Sequence, residues 1–134
     1  MSAGPNESKL EFESSTPSDF NTDKENAMYV QLTYFDGPRT AAQLAAHDYA
    51  GEHRVADAVK SVPGIVGTHV LRGPDGSDVI VSIGMTEQDL LDAQQAIMAT
   101  ELLPGEDPAL LTGPDRVEIR EVVYTWDREK EAVR

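Results

Sequence analysis

A chain of 134 residues has room for one core, of roughly 100 residues once a polar N-terminal stretch is set aside. Asp and Glu number 24 against 11 Lys and Arg, and the formal net charge of −13 disfavours nucleic acid and anionic membrane surfaces as partners. The absence of cysteine excludes disulfides, thiolate nucleophiles and Cys-based metal sites, and no run approaches the ~18 apolar residues of a membrane helix, so a cytoplasmic setting is expected.

Residues 1–27 are rich in Ser, Glu, Asp, Asn and Pro and carry only Leu10, Phe12 and Phe20 as large apolar side chains. Such a stretch cannot bury enough surface to offset its ordering entropy, which predicts a disordered or loosely docked acidic arm. Within it Lys9 to Glu13 alternates like a short strand able to dock on a sheet edge, and Met28 stands as an alternative chain start.

The folded part is expected over 28–126. Met28 to Phe35 is β-branched and aromatic and stops at Asp36-Gly37-Pro38, the first strand. Thr40 with Gln43 three residues on is a capping-box pattern, opening a long helix that runs to about Ser61 before Pro63-Gly64. Thr68 to Leu71 and Val79 to Ile83 read as a hairpin around Gly73-Pro74-Asp75-Gly76. Thr86 caps a second helix from Glu87 to about Glu101, and Asp89 in its first turn suits the helix dipole. Leu102 to Asp115, with three prolines and two glycines, is a long irregular connection of the kind that serves as a binding loop or lid. Arg116 to Tyr124 closes the sheet, and 127–134 is a charged tail.

This β-α-β-β-α-β order predicts an α+β, ferredoxin-like fold, a four-stranded antiparallel sheet with two helices on one face. Val79, Val81 and Ile83 alternate with Ile80, and Val117, Ile119 and Val123 with Val122, so both sheet faces carry apolar side chains. A homodimer packing sheet on sheet would cover the second face; the arm folded across it is the alternative.

At about 100° per residue, Leu44, Val55, Ala58, Val59 and Val62 share one stripe of the first helix with Asp48 and Gly51, and His47 lies at its edge. Leu90, Leu91, Ile97 and Met98 mark the apolar side of the second helix, with Gln94 and Glu101 inside it. Polar groups on faces turned to a sheet imply a cavity opened by Gly51, with Asp48, His47 and Gln94 as polar contacts and Tyr34, Leu91 and Met98 as apolar lining. A carboxylate placed there has a raised pKa and can accept a proton. The plainer alternatives are that Asp48 bonds a kinked helix backbone or an arginine such as Arg72 or Arg120, that Gln94 makes a structural bond, and that His47 is partly exposed surface. Arg39 could meet an acidic ligand or pair with a surface acid. Tyr29, Tyr34, Tyr124 and Trp126 read as core or dimer contacts, and His53 as ordinary surface. No phosphate loop, GxSxG elbow or HExxH spacing occurs, and His47, His53 and His69 could meet only through the fold, so neither metal nor cofactor is expected.

In Met28 to Arg39 (MYVQLTYFDGPR), Pro63 to Gly76 (PGIVGTHVLRGPDG) and Val79 to Leu90, the chain resembles the dimeric α+β barrel superfamily, in particular small antibiotic-biosynthesis-monooxygenase-like proteins. TYFDGPR and ELLPGEDPALLTGPDRVE resemble a subgroup that lends no function. The resemblance covers about 28–126 and is architectural more than chemical. It implies a homodimer with one pocket per subunit between helices and sheet. One class of function is then a cofactor-independent monooxygenase acting on an aromatic or hydrophobic substrate, with Asp48 of the inferred cavity as candidate base and Gln94 orienting the substrate. Many relatives carry Trp directly after the third strand, where this chain has Gly84-Met85, and the Asn, Trp and His set of haem-degrading relatives has no match. The departure at Gly84-Met85 favours the other class of function, a non-catalytic dimeric ligand-binding or stress-associated protein.

Overall fold

A computed structural model describes residues 28–128. The expected acidic arm and most of the charged tail lie outside the described residues.

The sheet contains β1 (Tyr29–Phe35), β2 (Ile65–Arg72), β3 (Asp78–Gly84) and β4 (Arg116–Glu121) in the order β2-β3-β1-β4, all neighbours antiparallel. β2 and β3 extend past the apolar runs that mark them in the sequence, because the hairpin register carries the pairing out to Arg72 opposite Asp78. β4 stops at Glu121, so Val123 and Tyr124 lie beyond it, 87% and 79% exposed.

The first helix is not one rod. It runs as α1 (Ala41–Ala50), a π-helical turn (Gly51–Val55) and α2 (Ala56–Lys60). Its start follows the sequence: Thr40 Oγ1 accepts from the Gln43 amide at 3.1 Å, and Gln43 Oε1 accepts from the Thr40 amide at 2.8 Å. α3 (Glu87–Met98) opens with the same reciprocal box between Thr86 and Asp89.

Phe35 packs its ring against His47 at 4.6 Å, so Tyr29, Gln31, Thr33 and Phe35, in alternation, face the helices. Register places Ser82, Ile80 and Asp78 of β3, and Thr68, Val70 and Arg72 of β2, on that same face. α3 lies close on β1, β2 and β3, centred on buried Leu90 and Ala93. The 41–60 helix keeps closer to α3 and to a 3-10 turn at Pro108–Leu110 than to any strand. That stand-off leaves space over β2 and β3. The opposite face presents Val30, Leu32, Val79, Val81, Ile83 and Leu71, and no described element covers it.

Candidate functional site

Between the 41–60 helix and the β2–β3 edge lies a cleft of about 710 Å³. Val55, Val59, Ile65, Val70 and Ile80 supply apolar walls, Thr68 a hydroxyl, and His47 and Asp48 one polar end. Gly51 lines it at the first residue of the π turn, and a Cβ added there would meet nothing within 4 Å. A π turn seats one extra residue within a helix and recurs at functional positions.

The polar end is organised by Asp78, 1% exposed. Arg72 donates to it through Nε at 2.8 Å and Nη2 at 2.9 Å. Arg39 Nη2 lies 2.6 Å from Asp78 Oδ2, within ion-pair distance though not aligned as a hydrogen bond, and Arg39 Nε donates to the Gly76 carbonyl at 2.7 Å. Arg72 also holds Asp48 by two bonds, of 2.7 and 3.1 Å. Hydrogen bonding from Arg72 is the main reason both carboxyls titrate below their ordinary range, and the two acids hold the Arg72 guanidinium protonated.

His47 Nδ1 sits 2.8 Å from Arg39 Nη1. A guanidinium has only donors, so Nδ1 accepts and the neutral ring carries its proton on Nε2. Burial first, then the positive charge of Arg39, lower the His47 pKa from its ordinary 6.5, against the pull of Asp78 and Asp48. The ring is therefore neutral near pH 7 and offers a donor.

The sequence-derived site is only partly assembled. Asp48, His47 and Gly51 line the cleft together, and Arg39 stands behind His47 with its side chain 6% exposed. Asp48, however, is 56% exposed at its side chain and held below the ordinary carboxylate range, so the expectation of a raised pKa on an inward-turned acid is corrected. The physical reason is Arg72, whose hydrogen bonds favour the charged form. Gln94 is exposed, as are Leu91 at 41% and Met98 at 76%. α3 turns Leu90, Ala93 and Ile97 to the sheet, which rotates those three outward and out of the cleft. Tyr34 lies on the opposite sheet face, its ring under the Arg116 guanidinium at 3.8 Å.

Asp78 escaped sequence reading, although opposite charges on either side of the 73–77 turn were a usable signal for a cross-strand pair. A second missed pair is Arg54 with Glu106, joined at 2.8 and 3.0 Å, with Thr100 Oγ1 as a further acceptor at 2.8 Å. Glu106 also accepts from the Leu103 amide at 2.7 Å, so the long connection is pinned to the π turn. His53 stacks on Tyr49 and His69 belongs to the opposite sheet face, so the three histidines do not meet. Among the described residues no cluster of His, Asp and Glu could hold a metal ion, and no helix is long and apolar enough to cross a membrane.

No protein-family model matches the chain, and no curated protein matches it. Solved structures do. A dimeric ferredoxin-like protein from an uncultured marine organism superposes with a TM-score of 0.54 at 10% identity, over 81% of this chain and 98% of its own. A monooxygenase of Streptomyces coelicolor, in complex with nanaomycin D, aligns at TM-score 0.46 and 20% identity over 79% and 94% of the two chains. SnoaB, a cofactor-independent oxygenase of Streptomyces nogalater, aligns at 0.38 and 20% over 75% and 93%. The last two likenesses are too loose to bear on chemistry here. The first bears on architecture: with its β2-β3-β1-β4 sheet and helices on one face, the chain has the α+β ferredoxin-like fold.

Proposed function

We propose that the domain binds a small, largely apolar or aromatic molecule in the helix–sheet cleft, with an oxygen of that molecule turned to His47. The observation that carries this reading is an apolar cleft of about 710 Å³ with one polar end that is neutral in sum. Arg39 and Arg72 are offset there by Asp48 and Asp78, and His47 is uncharged near pH 7. A charge-balanced end recognises a neutral oxygen through a hydrogen bond from Nε2–H rather than an anion through Coulomb attraction.

The unit that binds is a homodimer. Val30, Leu32, Val79, Val81 and Ile83 form an apolar field on the face away from the helices, and a second copy supplies a matching field by symmetry. The ferredoxin-like protein of the same fold is itself described as dimeric.

The test fills the cleft from its own wall. Gly51→Trp adds an indole from a Cβ that meets no neighbouring atom within 4 Å, on the wall of the cleft. Saturable binding of 2-naphthol to the native protein, followed by fluorescence, should vanish in Gly51→Trp with the thermal melt unchanged. Equal binding by both proteins would place the ligand elsewhere.

Cofactor-independent oxygenation is the second reading, favoured by the sequence resemblance and by the donor at His47. In it Nε2–H stabilises the enolate oxygen of an anthrone-type substrate, the proton leaves to water, and the carbanion reduces dioxygen, so that anthrone and O2 give anthraquinone and water. Asp48, held ionised by Arg72, is not needed as the base, and Gln94 stands outside the cleft. Anthraquinone formation should be equal in the native protein and Asp48→Asn and should fall to background in His47→Phe; a collapse in Asp48→Asn would return the proton transfer to that acid.

A further inference from the structure

His47, on the wall of the cleft, has a donor and an acceptor within reach of its Nδ1: Arg39 Nη1 at 2.8 Å and Asp78 Oδ2 at 3.6 Å. The neutral ring accepts from Arg39, whereas a protonated ring carries hydrogen on both nitrogens and turns Nδ1–H to a carboxylate. Asp78 can receive it. A carboxylate offers about four acceptor sites, and Nε and Nη2 of Arg72 with Nη2 of Arg39 use three of them. Arg39 does not depend on the imidazole, because its Nε is held by the Gly76 carbonyl at 2.7 Å and its Nη2 lies 2.6 Å from Asp78. A proton can therefore be taken up at Nδ1 without dismantling the Asp78 network.

The charges around the ring decide what that proton would serve. Arg39 behind it, Asp78 on β3, Asp48 on its own helix and Arg72 on β2 sum to zero, and Glu52 and Lys60, the other charged side chains lining the cleft, carry opposite signs. A carboxylate entering at neutral pH meets no unmatched cation at the His47 end, so its desolvation goes uncompensated. With His47 protonated, the same end carries one positive charge beside the apolar walls, which is what a partly buried carboxylate requires. Burial and Arg39 keep the ring of the free protein uncharged near pH 7, and its side chain is 21% exposed, so the proton comes from solvent as the ligand enters.

We infer that the cleft also takes a hydrophobic carboxylate, and takes it together with one proton that settles on His47 Nδ1 while Nε2–H faces the ligand. The inference rests on the cleft reading above and extends its ligand class to hydrophobic carboxylic acids, bound as a carboxylate–imidazolium pair. Because the anion favours the charged ring, its affinity rises as pH falls and levels off once the ring of the free protein is itself protonated.

The probes are 2-naphthoate, ionised throughout the range used, and 2-naphthol, neutral throughout it, with salt at about 0.3 M to screen the net charge of −13. Naphthoate should bind ~10-fold more tightly at about pH 5.5 than at about pH 7.5, and calorimetry in two buffers of different ionisation enthalpy should show uptake approaching about one proton per naphthoate between those limits; 2-naphthol should show neither. In the native protein the His47 imidazole resonances should titrate about one pH unit higher in the naphthoate complex than in the free state. The pH dependence and the proton uptake should vanish in His47→Gln and persist in His53→Gln and His69→Gln. Naphthoate binding without proton uptake, an unmoved His47 titration in the complex, or a pH dependence that survives in His47→Gln overturns the inference, as does failure of naphthoate to bind where 2-naphthol does. Loss of 2-naphthol binding in Gly51→Trp then leaves the cleft reading intact, whereas binding of both probes that persists in Gly51→Trp overturns both.

Discussion

Asp48 and Arg72 face each other across the mouth of the cleft, joined at 2.7 and 3.1 Å, and the same guanidinium reaches buried Asp78 through two further donors. The two acids share one partner but not one environment. Asp48 is 56% exposed, so solvent screens its pair, and Asp48→Asn should cost no more than ~1 kcal/mol. Asp78→Asn would leave the Arg39 and Arg72 charges without their buried counter-ion and should cost about 3–5 kcal/mol. Urea unfolding of the two variants measures this directly, and equal losses would contradict the assignment of Asp78 as the organising residue.

Acid should act in two stages. Burial and Arg39 hold the His47 pKa below 6.5, so the unfolded chain binds that proton first, and stability falls as pH drops below about 6.5. Asp78 and Asp48 are depressed below 3.8 by Arg72, so their contribution is present above that pH and is lost as pH falls further. Thermal melts across acid pH should show the upper stage disappear in His47→Phe while the lower stage remains.

Two glycines should respond with opposite signs. Gly51 has helical dihedrals and open space at its Cβ, so Gly51→Ala should stabilise by about 0.5–1 kcal/mol through lost backbone freedom in the unfolded chain. A Cβ on Gly64 would overlap the Asp89 carboxylate, which closes the capping box with Thr86, so Gly64→Ala should destabilise by about 1–2 kcal/mol. Chemical denaturation of the pair checks both signs.

The elements and their order were legible because each had a local signal: Thr40 and Thr86 at the helix starts, Gly73 to Gly76 at the hairpin, and Asp36-Gly37-Pro38 after β1. The cleft and its opening at Gly51 were also legible, as a gap in an apolar stripe. The facing of Asp48 was not. A wheel drawn at 100° per residue assumes one unbroken α-helix, and the π turn at Gly51–Val55 shifts the phase between its two halves. Gln94, Leu91 and Met98 failed differently: the apolar arc of α3 is broader than the contact it makes, and Leu90, Ala93 and Ile97 occupy the centre. Alternation along β1 puts Tyr34 on the far face of the sheet and Gln31 and Thr33 on the helix-facing side. Asp78 needed the hairpin register before it could be placed against Arg72.

The opposite sheet face gives a prediction about assembly. Val81 lies near its centre, paired with Leu32 on one side and His69 on the other. In the proposed sheet-on-sheet homodimer, Val81→Lys should give a monomer in sedimentation velocity where the native protein sediments as a dimer, by placing a charge at the middle of the contact. A Val81→Lys protein that remains dimeric would move the interface to another surface.

The most direct measurement is amide chemical-shift mapping of the native protein titrated with 2-naphthol. Shifts should concentrate at Gly51, Val55, Thr68, Val70 and Ile80, around the cleft. Shifts confined to Tyr34, Leu71 and their neighbours on the far face of the sheet, or none at saturating probe, would contradict binding in the cleft.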